Sequence, residues 1–371
     1  MHKIFNRINN ALLNLEKRFG VYIASLIIAF ILLCIACIYV TPSLIPRQLG
    51  GGFAQLSTNP FDLSIQNNLR FRVLTPLLAY CIGLRGPLYI LFPMIIAMCF
   101  LSAIYYYLRK TQGAAESILI TMLICFSSPV LFLLHFQGYV DVTSYLLIFL
   151  ILIFIKKPFL WTVLLMLLLL NHDSNLFIIP CLVYFYFINT PNKITAAIVS
   201  FIGIIAAFIP FYFYRKYIGE HSTVDYTFQM YYSGIEENIK SLADYFYVGF
   251  FYAFKLFWLF PLFAVYYFWK EKNKQQLVFF ALLLIGVLGQ LLVASDTSRL
   301  IGLAFPMIIY SAIKVKEQWG MELFFKRTFY LLLLNFLIPQ FYVGQSVMIR
   351  FYPLPSSLIL KHFFGIETWV G

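Results

Sequence analysis

Three short polar islands interrupt the apolar runs of this chain, and each carries an aspartate: HFQGYVD (His135 to Asp141), NHDSN (Asn171 to Asn175) and SDTSR (Ser295 to Arg299). A charge at membrane depth costs about 3 kcal/mol or more, so it faces a partner or a water-filled cavity. Each candidate has a chemical reading and a structural one. Asp62, eight residues before Arg70, could take a proton from an attacking hydroxyl, or simply make a turn after Pro60. Asp141 is the second candidate base, with His135 either assisting it or lying at the membrane rim. Arg70 and Arg72 could clamp a lipid-linked phosphate with their planar forks, or snorkel to headgroups; spacing does not choose between them. Arg299 stands three residues after Asp296, the spacing of one helical turn. It either closes a salt bridge or binds phosphate with Asp296 holding it. His172 and Asp173 either cap the helix that follows or begin a metal site. Adjacent residues point apart on a helix, so a divalent metal there would need Asp141 or Asp296 as well. Lys255, deep in FYAFKLFWLF, is a second phosphate contact or a snorkelling lysine.

The elements that must position these residues are helical and membranous. The chain has 371 residues, 62% of them hydrophobic and 11% charged, with a mean hydropathy of +0.85. Soluble domains are about half apolar and about a quarter charged. The apolar runs lack the alternation of a barrel strand. The net charge of +12 sits mainly beside apolar runs, as anchors do, and does not indicate nucleic acid. There is no Walker motif and no G-x-G-x-x-G, and Gly50 to Gly52 reads as a turn, which excludes nucleotide-driven chemistry in this chain. All six cysteines lie in apolar stretches. Cys34 and Cys37 form a C-x-x-C without the second pair that zinc would require.

About eleven segments could cross: 21–41, 87–108, 116–134, 141–155, 159–170, 175–189, 194–214, 246–269, 276–294, 300–314 and 328–344. The first reads as a retained span rather than a signal peptide. The segments 141–155 and 159–170 are short and read as a tilted or half-deep hairpin around Lys156, Lys157 and Pro158. Alternate connections carry the basic residues: Lys3, Arg7, Lys17 and Arg18; Arg109 and Lys110; Lys156 and Lys157; Lys193; Lys270, Lys272 and Lys274; Lys314, Lys316, Lys326 and Arg327. The positive-inside rule puts these in the cytoplasm with the N-terminus. The outer face then receives all six aspartates, a long first loop at 42–86, a second at 217–245 and a tail at 345–371, leaving 1–344 as one polytopic domain. Residues 73–84 either lie at the interface or make a short span that would reverse everything downstream.

The stretch LRFRVLTPLLA (Leu69 to Ala79) is similar to the R-x-L-x-P-L-L entry of bacterial multi-span proteins related to the C-superfamily (GT-C) glycosyltransferases. GYVDVTSYLL (Gly138 to Leu147), NHDSNLFIIP (Asn171 to Pro180) and SDTSRLIGLAFP (Ser295 to Pro306) resemble further outer-face motifs of the same proteins, over roughly residues 20 to 315. The resemblance implies a GT-C-like all-α fold in a bacterial inner membrane and transfer from a polyprenyl-phosphate-linked sugar to a glycan or glycolipid acceptor on the periplasmic or extracellular face. It implies Asp62 as base and the outer arginines as binders of the leaving phosphate. The chain departs from the pattern in lacking a second acid beside Asp62, and in carrying Asp173 where many relatives have glutamate.

A glycosyltransferase of this kind, with no certain cofactor, is therefore the leading expectation. Two rivals share the membrane and the glycan: an O-antigen-type polymerase acting on lipid pyrophosphates, and a non-enzymatic flippase. Transporters of the latter kind usually show paired repeats and polar breaks at mid-membrane, whereas these islands lie at one rim and no repeat is present.

Overall fold

Gly20 (φ 77°, ψ 156°) breaks the first helix, His2–Val40, into an amphipathic arm and an apolar span. Glycine adopts that backbone without strain. The computed structural model describes residues 2–40, 42, 45–46, 48–65, 67–221, 235, 239–240, 245–292, 296–344, 347–351, 361–363 and 365. Asp225, Asp244, Arg47, Ser295 and most of the second outer loop and the tail lie outside the described residues.

Among the described residues, five helices are long and apolar enough to cross a membrane: Lys3–Val40, Gly86–Leu108, Lys193–His221, Tyr245–Lys270 and Thr297–Trp319. Ala114–Cys125 and Ser128–His135, bent by 48° at a short break, make a sixth if taken together. Shorter apolar helices cover Asp141–Ile153, Pro158–Asn171, Asp173–Asn189 and Lys274–Gln290. Thirteen residues of helix rise only about 20 Å, short of a hydrocarbon core of about 30 Å. Helices therefore stand at the expected segments, while length and composition carry five or six of them across. Pro129, Pro158, Pro180 and Pro306 each sit in the first turn of a helix, where a missing N–H costs nothing.

Asp141–Ile153 packs between Leu91–Leu108 and Pro158–Asn171, Lys193–His221 covers Pro158–Asn171, and Leu259–Lys270 lies along Phe305–Trp319. One apolar core runs through all of these. The outward face of Lys193–His221 is also apolar, with Ile194, Ile198, Phe201 and Phe213 exposed. A helix apolar on every side belongs in lipid or in a large core.

Two expectations change at the edges, and the first outer segment gains detail. Short helices stand in it: Leu49–Leu56, Asn67–Arg70, Leu74–Cys81 and the 3-10 turn Gly86–Ile90 fold around a small core of Phe53, Leu56, Leu69, Ala79, Tyr89, Phe92 and Val140. Leu74–Cys81 has eight residues, about 12 Å of rise, and does not cross. Gly50 to Gly52 are helical rather than a turn. A Cβ on Gly50 would collide with the Gln137 carbonyl oxygen, so glycine there lets two backbones touch. Finally, the last helix stops at Leu337, and Gln340–Gly344 pairs antiparallel with Val347–Phe351, placing Phe341 opposite Arg350. Among the described residues the fold is helical with one two-stranded hairpin, and segment 328–344 is not a continuous helix.

Candidate functional site

The three polar islands meet at one end of the bundle. The fourth and fifth segments to arrive there are the loop carrying Arg72 and the end of Lys193–His221 carrying Arg215. Two charged clusters result.

The first is built on Arg299, at the start of Thr297–Trp319. Its Nη2 lies 2.8 Å from Asp296 Oδ2 and its Nη1 3.5 Å from Asp141 Oδ2. The guanidinium sits 5.2 Å from the Tyr139 ring centroid and 5.9 Å from that of Phe132. The Tyr145 hydroxyl donates to the Arg299 carbonyl at 3.0 Å and holds the turn. Arg299 and Asp141 are both buried, while Asp296 keeps 30% of its side chain exposed. Asp141 begins its helix three residues after Gly138 (φ 94°), whose backbone lies against Gly50.

The second is built on Asp173. Arg215 Nη1 lies 3.0 Å from its Oδ2, and Arg72 Nε lies 3.9 Å from its Oδ1. The Arg215 guanidinium also covers the Phe71 ring at 4.1 Å. His172 Nδ1 accepts the Ser174 backbone N–H at 3.2 Å, capping the turn that follows. The same Nδ1 also meets Ser174 Oγ at 2.8 Å and Asp173 Oδ1 at 3.3 Å. Ser174 Oγ donates to Gln290 Oε1 at 3.0 Å.

Neutral polar side chains join the clusters. Asn171 donates to the Val140 carbonyl at 3.0 Å and to Ser144 Oγ at 2.8 Å, and accepts from Thr75 Oγ1 at 2.5 Å. Asn175 donates to the same Ser144 oxygen at 2.9 Å. Because Val140 precedes Asp141 and Asn171 precedes His172, this network places the two aspartate turns side by side. Asp141 is within electrostatic reach of His172, Tyr89 and Tyr145.

Four buried nitrogens here have no hydrogen-bond partner among the described residues: Arg72 Nε, Arg299 Nε, His172 Nε2 and Gln290 Nε2. The two arginine nitrogens and the Gln290 amide are donors, and Gln137 Oε1 in the first island is a buried acceptor in the same condition. Unpaired buried polar groups are rare and mark sites of function or bound solvent. A set richer in donors than acceptors fits an oxygen-rich group such as a phosphate or a sugar.

The remaining candidates stand elsewhere. Asp62 forms a turn: its Oδ1 accepts from the Ser64 N–H at 2.8 Å and from the Ser64 hydroxyl at 2.7 Å. Those two bonds hold its carboxyl below the usual carboxylate range. Arg70 is fully buried, and its Nη atoms donate to the Leu63, Ile65 and Ile218 carbonyls, tying the first outer segment to Lys193–His221. Lys255, at φ 48°, donates to the Ile338 carbonyl at 2.9 Å and to Asn335 at 3.4 Å, where Met321–Leu337 ends with unpaired carbonyls. His135 stacks on Tyr342 of the hairpin, ring centroids 5.2 Å apart. No group of three His, Cys, Asp or Glu that could hold a metal occurs among the described residues. A cavity of ≈ 410 Å³ opens between Ile45, Pro46, Ala54, Gln55, Thr58, Gly86 and Pro87, and none of the charged residues lines it.

Sequence reasoning passed over Arg215, Asn171, Asn175, Ser144, Thr75 and Gln290 as site members. The polar residues set in leucine-rich surroundings at positions 171 to 175 were the available signal for Asn171 and Asn175. Arg215 stood only as one of several outer-side arginines with nothing to single it out, and Gln290 gave no signal, since it ends a helix as an ordinary polar boundary would. No protein-family model, no curated protein and no solved structure matches this chain.

Proposed function

We propose that this chain is a multi-span glycosyltransferase of the bacterial inner membrane, with its N-terminus in the cytoplasm and its catalytic chamber at the outer rim. Eleven traverses would bring the aspartates to that rim, with the four shorter apolar helices tilted or shielded by the longer ones. The donor is a polyprenyl-phosphate-linked sugar and the acceptor a glycan or glycolipid hydroxyl.

The observation that carries this reading is the pair of adjacent, oppositely biased clusters with unpaired donors between their elements. Arg72 and Arg215 against Asp173 leave one net positive charge (two minus one). Asp141 and Asp296 against Arg299 leave one net negative charge (two minus one). An inverting transfer wants this separation, because the base and the leaving group stand on opposite faces of the sugar. Arg72 and Arg215 take the phosphate, and Gln290 Nε2–H donates to an oxygen of the phosphate or the sugar. Asp141, held at 3.5 Å by Arg299, takes the acceptor proton, whereas Asp296 is bound more tightly. The acceptor oxygen bonds to the anomeric carbon as the bond from that carbon to the phosphate oxygen breaks, and polyprenyl phosphate leaves with the electron pair. Fixed guanidinium groups in a dry site supply most of the barrier reduction in such a step.

Asp62 keeps a part as a turn-former at the chamber mouth, and Arg70 as the brace that lets Arg72 face Asp173. The test is the purified chain in lipid discs, assayed with polyprenyl-phosphate monosaccharides. Asp141→Asn should lower turnover by about 10²- to 10⁴-fold, the range for loss of a positioned base. Undiminished turnover in Asp141→Asn would remove Asp141 from that part. Transfer from pyrophosphate-linked oligosaccharides alone would favour a polymerase.

A further inference from the structure

The helical arm before Gly20 has a second face that the charged chamber does not use. Glu16 is its one acidic residue, and it turns inward: both oxygens meet Arg109, at 2.7 and 2.8 Å, and Tyr105 donates to it at 2.8 Å. Asn9 accepts from the Ala115 N–H at 3.4 Å, and Phe5 meets Phe325 edge-on at 4.9 Å. These contacts pin the arm across the end of the bundle that carries Lys314 and Lys316. With Glu16 turned in, Lys3, Arg7, Lys17 and Arg18 are all exposed, and none makes an ion pair with a described residue.

Helical spacing sorts the arm into arcs. At about 100° per residue, the four basic side chains fall within an arc of roughly 100°, and Ile4, Phe5, Ile8, Ala11, Leu12, Leu15 and Phe19 within an arc of roughly 120°. Part of that apolar arc packs on the protein, but Ile4 (45%) and Phe19 (40%) stay exposed. The next residues after Gly20 enter an apolar span whose Tyr22, Ile23, Phe30 and Ile31 are also exposed. An amphipathic helix at the mouth of a span, with basic residues on one arc and exposed apolar residues on another, has the form of one that lies in the headgroup layer.

We propose that this arm is a docking surface for anionic phospholipid headgroups, which it gathers around the first span. Charge complementarity commits it to lipid: four cations without an acid face the side on which the exposed apolar residues meet the bilayer. The inference is independent of the chemistry at the opposite end, and its test does not require any transfer activity.

The experiment reconstitutes the full chain into mixed discs of phosphatidylcholine and phosphatidylglycerol and counts retained lipids by native mass spectrometry. The wild type should hold phosphatidylglycerol in preference to phosphatidylcholine. The combined variant Lys3→Gln, Arg7→Gln, Lys17→Gln, Arg18→Gln should lose at least about fivefold of that preference, since each basic residue near an anionic surface is worth roughly that factor. Lys3→Arg, Arg7→Lys, Lys17→Arg, Arg18→Lys should keep it, because headgroup attraction needs charge rather than a fork. Salt near 1 M, where the Debye length is about 3 Å, should abolish it. Soluble glycerol phosphate should not compete, which separates a leaflet from a free phosphate. An unchanged lipid ratio in the glutamine variant, or an equal loss on neutralising Lys156, Lys157 and Lys193 instead, overturns the proposal.

Discussion

The two ends of the helical bundle treat their charges differently. Helix Thr297–Trp319 touches both, with Arg299 in its first turn and Lys314 and Lys316 in its last ones, about 22 Å apart along the axis. At the lysine end the pairs fasten neighbouring elements: Lys314 reaches Glu271 at 2.6 Å, Lys316 reaches Glu116 at 3.8 Å, and Arg109 reaches Glu16. Arg109 uses all three of its nitrogens, two on Glu16 and one on the Gln112 carbonyl. At the aspartate end the pairs bring together segments as far apart as Arg72, Asp173 and Arg215, or Asp141 and Arg299, and they leave Arg72 Nε and Arg299 Nε without hydrogen bonds. An arginine with every donor satisfied is a fastening. One that is buried with a donor to spare is built to meet something else.

That contrast can be broken most directly at Arg299. Arg299→Met leaves the buried Asp141 without its guanidinium partner. It should destabilise the protein by about 3–5 kcal/mol, read as a fall in thermal unfolding temperature in detergent. At the opposite end Glu16→Gln should cost less, about 1.5–3 kcal/mol, because the amide retains some of the bonds to Arg109 and Tyr105. A larger loss there than at Arg299 would reverse the comparison. Gly50→Ala forces the first outer segment away from Gln137 and should cost about 1–3 kcal/mol. Its neighbour Gly51 has open space around its Cα, so Gly51→Ala should be neutral or stabilise by up to about 1 kcal/mol. A matched pair of melting curves decides both. The part-exposed pair Lys314–Glu271 should matter less than Arg299 or Glu16: Lys314→Ala should change stability by about 0–1 kcal/mol.

The smallest effect expected is one of pH. The Ser64 bonds hold the Asp62 carboxyl below its ordinary value, so the folded form favours the ionised group. That contribution is present above the unfolded value of about 3.9 and is lost as pH falls through the lower folded value. Local hydrogen exchange around residues 62–64 should therefore rise below about pH 4 in the wild type. In Asp62→Asn it should show no such step.

Much of the membrane architecture was legible because burial in lipid demands long apolar runs, and basic residues bracket them. The helices fall where those runs fall, from Gly86–Leu108 to Thr297–Trp319. The hairpin at Gln340–Phe351 was not legible, since FYV and VMIRF also suit a helix end, and pairing between strands is a contact at a distance. The site was half legible. The islands announced Asp141, Asp173, Asp296 and Arg299 by their polarity in apolar surroundings, whereas Arg215 was legible only as one outer-side arginine among several and nothing announced Gln290.

The amino-acid sequence alone determined that this is a helical membrane protein with three aspartates set in polar islands between apolar runs, because hydrophobicity and charge act residue by residue. Only the tertiary structure decided that Arg70 grips carbonyls while Arg72, two residues on, meets Asp173, and that Asp62 closes a turn with Ser64. Side-chain direction follows from the backbone path, and that path is set by packing against helices far away in the chain.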